Sequence, residues 1–140
     1  MGQKFEHHWG RTLLESDSVL FSTLTLAFNP VYFNRDHARA EGHPDLVLNP
    51  LLVFTTVFGL SVEDLSEKGG LFLGVDGLTY ARDVYPGETL TARSEVVAAR
   101  PSGSHPNHGI VTWHTQGLDS AGEVVVEFTR SNLVVRRAAA

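Results

Sequence analysis

The rhythm of apolar positions changes about halfway along the chain: helical spacing gives way, from Leu71 onward, to long alternating runs separated by turn residues. In the first half, Ser16-Asp17-Ser18 offers capping side chains ahead of Val19, Leu20, Thr23, Leu24 and Leu26, which predicts a short helix ending near Asn29-Pro30. Asn34-Arg35-Asp36 then precedes a small helix over His37 to Glu41, which Gly42 stops by accepting a left-handed cap. The stretch from Pro50 to about Leu65 is the most apolar of all, with Leu51, Leu52, Val53, Phe54, Val57, Phe58 and Leu60. It is too long for an ordinary strand, and Pro50 suits a first helical position, where its missing N–H has no partner to lose. A buried helix is expected there, ending by the polar run Glu63 to Gly70.

The second half reads as strands. One runs from Leu71 to about Asp83, and Tyr85-Pro86-Gly87-Glu88 follows with proline and glycine where a type II turn wants them. A second spans Thr89 to Ala99 and leads to a loop from Arg100 to His108. A third, Gly109 to Leu118, alternates Thr112, His114 and Gln116 with Val111, Trp113 and Thr115. Asp119 to Gly122 turns the chain into a fourth, Glu123 to Arg136. A buried apolar helix followed by an antiparallel meander predicts an α+β domain, one sheet wrapped around one helix. No linker, repeat or low-complexity segment divides residues 1–140, so one domain is expected, with Ala138-Ala139-Ala140 as a fraying end.

Composition narrows the function classes. With 140 residues and 42% hydrophobic content the chain can bury one continuous core. The formal net charge of −5, from Asp+Glu 16 against Lys+Arg 11, argues against a nucleic-acid backbone as partner. Absence of cysteine excludes disulfides, thiolate metal sites and cysteine nucleophiles. No leader-like or membrane-spanning apolar run occurs, so a soluble cytoplasmic protein is expected.

Residues Phe21-Ser22-Thr23-Leu24-Thr25-Leu26-Ala27-Phe28-Asn29-Pro30-Val31-Tyr32 are similar to the hydratase motif of the MaoC-like dehydratases and R-specific enoyl-CoA hydratases. His8-Trp9-Gly10-Arg11-Thr12, Gly59-Leu60-Ser61-Val62, Tyr85-Pro86-Gly87-Glu88-Thr89-Leu90 and Gly109-Ile110-Val111-Thr112 resemble the subgroup acting on mesaconyl- or methylmalyl-CoA. Together these blocks cover nearly the whole chain in order. The resemblance implies a hot-dog fold, a pocket between protomers of a homodimer or assembly of dimers, and hydro-lyase chemistry on an acyl-thioester carried by CoA or a carrier protein. It implies no cofactor and no metal.

The same resemblance makes four replacements visible. The family's catalytic Asp, two residues before the Asn-Pro pair, is Ala27 here, and its His, two residues after the proline, is Tyr32. Alanine moves no proton, and a phenol with an ordinary pKa near ~10 serves better as an acid or donor than as a base. At the central helix, where the family polarises the thioester carbonyl with a backbone N–H, stands Leu48-Asn49-Pro50, and proline has none to give. In the loop after the second strand, Gly103 and His105 occupy positions where the subgroup carries arginines, leaving Arg100, Ser102 and Ser104 for carrier phosphates.

The candidate reacting groups are therefore Tyr32, Asn34 and Asn29, with Asn49, Leu51, Arg100, Ser102 and Ser104 as substrate-binding candidates. Each also has a structural reading: the asparagines suit turns and caps, and Tyr32 suits packing. Asp76 and Asp83 could replace the missing carboxylate, or simply face solvent. His105 and His108 lack a third metal ligand, and His7-His8 reads as an exposed chain start. The resulting expectation is a hydratase or dehydratase homologue with a remodelled site. Its rivals are a non-catalytic acyl-thioester-binding protein and a thioesterase, although no carboxylate stands at the start of the central helix to serve the latter.

Overall fold

The computed structural model describes residues 1–137; the three terminal alanines expected to fray lie outside the described residues. Two short strands open the chain, β1 (Lys4–Glu6) and β2 (Arg11–Thr12), followed by the helix α1 (Glu15–Leu24). A 3-10 turn, Pro30–Tyr32, leads to α2 (Arg35–Ala40), the long helix α3 (Pro50–Leu60) and the short helix α4 (Val62–Leu65). Four long strands complete it: β3 (Leu71–Tyr80), β4 (Thr89–Pro101), β5 (His108–Leu118) and β6 (Val124–Val135). The sheet runs β1-β4-β5-β6-β3, with β2 pairing farther along β4 and every pairing antiparallel.

The sheet closes over α3 because both present one apolar face. Val53 and Val57, one turn apart, are 1% and 0% exposed and pack with Leu90, Ala92, Val125, Val126 and Phe128. Two aromatic edges seal the contact, Phe54 against Phe128 at 4.9 Å between centroids and Phe58 against Phe72 at 5.3 Å. Gly117 on β5 permits the approach, since a Cβ there would lie 2.5 Å from Val57 Cγ2. These observations establish the expected α+β hot-dog arrangement of antiparallel sheet around a central helix.

Differences from the sequence reading have local causes. The first helix stops at Leu24, before Asn29, because Leu26 adopts φ 59° and the Ala27 N–H turns back to the Ser22 carbonyl oxygen at 2.8 Å. That is a Schellman-type ending made by a leucine where glycine would be unstrained. The central helix breaks at Ser61, whose hydroxyl donates to the Phe58 carbonyl oxygen at 2.7 Å, so residues 62–65 form a separate turn of helix. His7 is not exposed: it is buried, with Nδ1 2.6 Å from Asp64 and Nε2 2.9 Å from the Ser94 hydroxyl. Trp9 adds a hydrogen bond to Glu63, and the N-terminal segment is thereby fastened to α4.

Candidate functional site

Tyr32 and Asn49 lie where α1, the 30–48 segment and the start of α3 converge. Asn49 caps α3 and is 2% exposed. Its backbone N–H donates to the Ser18 hydroxyl at 2.9 Å and its side-chain amide to the Ser22 hydroxyl at 3.0 Å. Its Oδ1 accepts the Leu51 N–H at 3.0 Å. Ser18 and Ser22 stand one turn apart on α1, which places both hydroxyls on one helix face. The Asn49 side chain is thus engaged in holding α1 to α3, and the Leu51 donor is taken. Pro50 has no N–H and the Asn49 carbonyl oxygen takes that of Val53, so Leu52 has the helix-start N–H without a protein acceptor among the described residues.

Tyr32 ends the 3-10 turn that Asn29 caps through a 3.2 Å bond from the Val31 N–H. It packs, half-buried, on Val31, Ala38 and Val47 beside Tyr85. Burial, and then the charge of Asp83, raise the Tyr32 pKa above its ordinary value of 10.0, so the phenol keeps its proton at neutral pH. Asn34 caps α2, accepting the His37 N–H at 3.0 Å. Both asparagines are exposed and their oxygens serve these turns.

Tyr80 and His43 were not singled out by sequence, and both belong to this cluster. The Tyr80 hydroxyl donates to the Pro50 carbonyl oxygen at 2.6 Å. Burial first, and then Tyr32, push its pKa up to about 12. Beside them a recess of about 240 Å³ is lined by Leu48, Pro50, Val53, Tyr80, Arg82, Asp83 and Val84. Asp83 is exposed and lies 3.7 Å from His43 Nδ1, and that nitrogen is also 3.0 Å from the Tyr85 hydroxyl. The Asp83 carboxylate therefore lies close enough for its charge to act on the Tyr32 phenol, with the His43 imidazole beside that carboxylate, and both come from positions other than those the family motif uses. Tyr80 ends a strand, and no local pattern could reveal that its hydroxyl reaches Pro50.

Arg100, Ser102 and Ser104 are elsewhere. They form the exposed tip between β4 and β5, with the Ser104 hydroxyl 2.9 Å from His105 Nδ1 and the His105 N–H donating to Ser102 at 3.2 Å. The strand from Thr89 to Arg100 separates this tip from the Tyr85–Glu88 turn by up to about 35 Å at ~3.3 Å per residue. Arg100 and Arg136 border a shallow groove there. Within one chain the phosphate candidates and the Tyr32 cluster do not meet. A larger apolar groove of about 600 Å³ runs between α1 and α3, lined among others by Trp9, Leu20, Phe21, Leu24, Leu52 and Leu60. No group of three or more metal-ligating side chains occurs among the described residues, and no helix there is long and apolar enough to cross a membrane.

The fold is that of a MaoC-like hot-dog domain. A family model described as mesaconyl-CoA hydratase matches residues 1–140, and the chain belongs to that family. It is 39% identical over 137 residues to the mesaconyl-CoA hydratase of Haloarcula marismortui, covering 97% of this chain and 38% of that protein. Against the β-methylmalyl-CoA dehydratase of Chloroflexus aurantiacus the identity is 32%, over 98% of this chain and 39% of the other. A solved structure of a putative MaoC domain protein dehydratase from Chloroflexus aurantiacus superposes with a TM-score of 0.88 at 31% identity, over 99% of this chain and 39% of that one. The chain thus spans about two fifths of the length of these relatives.

Proposed function

We propose that this protein is a hydro-lyase for a branched, dicarboxylic acyl-CoA of the mesaconyl or methylmalyl kind, working through a remodelled site centred on Tyr32. The observation that carries the reading is Tyr32 itself, held protonated in place of the family's histidine and within reach of the charge of Asp83, which lies 3.7 Å from His43. In hydration, water attacks the β-carbon of the enoyl thioester and gives its proton to that pair. The C=C electrons move onto the thioester oxygen, which the Leu52 N–H stabilises, and the α-carbon then takes a proton from the Tyr32 hydroxyl. Return of the first proton to Tyr32 closes the cycle, and reversal gives dehydration. Asn29 and Asn34 hold the Tyr32 turn in place, Asn49 holds the start of α3, and Leu51 lies beside the acyl group.

The carrier reaches the Arg100, Ser102 and Ser104 tip only across protomers. The outer strand β3 supports a homodimer: its edge is unpaired among the described residues, and Leu71, Phe72 and Leu73 are 63%, 51% and 48% exposed.

A second reading is favoured by one observation, the relatives' more than twofold greater length. In it this chain binds acyl-thioester without turnover while a second hot-dog unit supplies the missing Asp and His. The test is mass spectrometry of the purified chain with mesaconyl-CoA, methylmalyl-CoA and simple enoyl-CoA. Gain or loss of one water by the chain alone supports the hydro-lyase. Thermal stabilisation by the same thioesters with no mass change supports the binding role and overturns the first reading.

A further inference from the structure

A buried cation stands at the opposite end of α3 from this site. Phe128, Arg130 and Asn132 alternate inward along β6, and Arg130 and Asn132 are each 1% exposed. The Arg130 guanidinium lies over the Phe58 ring at 4.5 Å and the Trp113 ring at 5.5 Å. Its Nη2 donates to the Ser66 hydroxyl at 3.2 Å, whereas Nε and Nη1 have no hydrogen-bond partner among the described residues. Asn132 donates from its amide to the Gly70 carbonyl oxygen at 3.3 Å, which fixes the amide's orientation and leaves Oδ1 without a partner among the described residues. Nearby carboxylates are committed or outside: Asp64 to His7, Glu63 to Trp9, and Glu67 at the surface. Burial lowers the Arg130 pKa only to about 10, so the group remains a cation at neutral pH.

Aromatic faces offset part of the cost of burying a guanidinium, but unmet N–H donors beside an unmet carbonyl are expensive where water is excluded. The unmatched set is specific. It asks for negative charge with acceptor oxygens opposite Nε and Nη1, and for a hydroxyl opposite Asn132 Oδ1. We propose that Arg130, Ser66 and Asn132 form a binding site for a compact hydroxycarboxylate anion beneath the segment from Ser66 to Gly70. That segment borders a surface groove of about 590 Å³ together with Val134, Val135 and Arg137. The site is independent of the acyl-thioester reading, because it rests on β6 and the cover of α4.

The test is thermal denaturation of the whole chain in sodium glycolate, acetate or chloride, with ionic strength held by a bulky sulfonate. Glycolate should raise the Tm saturably, at about tenfold lower concentration than acetate, the worth of one further hydrogen bond. Arg130→Met should abolish the response yet melt no lower than wild type without anion, since it removes an unpaired buried charge. Asn132→Leu should keep the acetate response and lose the preference for glycolate. An unresponsive wild type, an equal response to chloride, or a response surviving in Arg130→Met would overturn the proposal. Should Arg130→Met not fold, glycolate-soaked wild-type crystals decide: electron density at Nε and Nη1 supports the site, and its absence at saturating glycolate overturns it.

Discussion

The side-chain amide of Asn49 donates to the Ser22 hydroxyl at 3.0 Å, a buried bond that joins the cap of the central helix to the first helix. With the Ser18 bond to the Asn49 backbone, it sets the position of α1 above the start of α3.

Asn49→Ala removes the cap of Leu51 and strands the Ser22 hydroxyl in a buried position. The expected loss is about 2–3 kcal/mol, a cap plus an unsatisfied partner, read by urea denaturation. Ser22→Ala alone should cost less, because the cap to Leu51 survives.

Gly117→Ala places a methyl group 2.5 Å from Val57 Cγ2 and 2.9 Å from Val126 Cγ1. Overpacking of this kind costs about 1–3 kcal/mol. Val57→Ala opens space at the same contact, so the double variant should be more stable than the sum of the two single effects. Additive losses in a denaturation cycle would show that the close approach is not the cause.

Arg82 binds Glu88 at 2.7 Å and Asp119 at 2.9 Å, and Glu88 also accepts the Tyr85 N–H at 2.7 Å, so the network orders the turn beside the candidate site. The Glu88 pKa is lowered from 4.5, first by the Arg82 hydrogen bond, with burial opposing. A depressed carboxylate contributes stability above its unfolded pKa and loses it as pH falls through its folded one. The Tm should therefore fall more steeply with acidification below about pH 4.5 in wild type than in Glu88→Gln. At neutral pH that variant should melt only slightly lower, as partly exposed ion pairs are worth about 1 kcal/mol or less. Parallel Tm-against-pH curves would refute the assignment.

The meander was legible because period-two alternation and turn chemistry act locally. The strands from Thr89, Gly109 and Glu123 emerge within two residues of their expected ends. Lys4-Phe5-Glu6 and Arg11-Thr12 hold too few apolar residues to signal a strand, and only pairing with β4 makes them one. His7 was hidden for the same reason, since its partners Asp64 and Ser94 are far away in sequence. At the site, the motif pointed to Tyr32 and to the missing dyad, but Tyr80 and the Asp83–His43 approach come from chain crossings that no spacing encodes. The Arg100 tip shows the converse: adjacent in an inferred ligand, it is remote from Tyr32 in the chain.

The most direct measurement is the rate of water addition to mesaconyl-CoA by wild type, Tyr32→Phe and Asp83→Asn, each checked for an unchanged circular-dichroism spectrum. The account predicts turnover by wild type and a loss of about 10²–10⁴-fold in kcat for Tyr32→Phe, the usual worth of a positioned proton donor. Asp83→Asn should fall comparably. Wild-type turnover that Tyr32→Phe leaves unchanged would contradict the central claim.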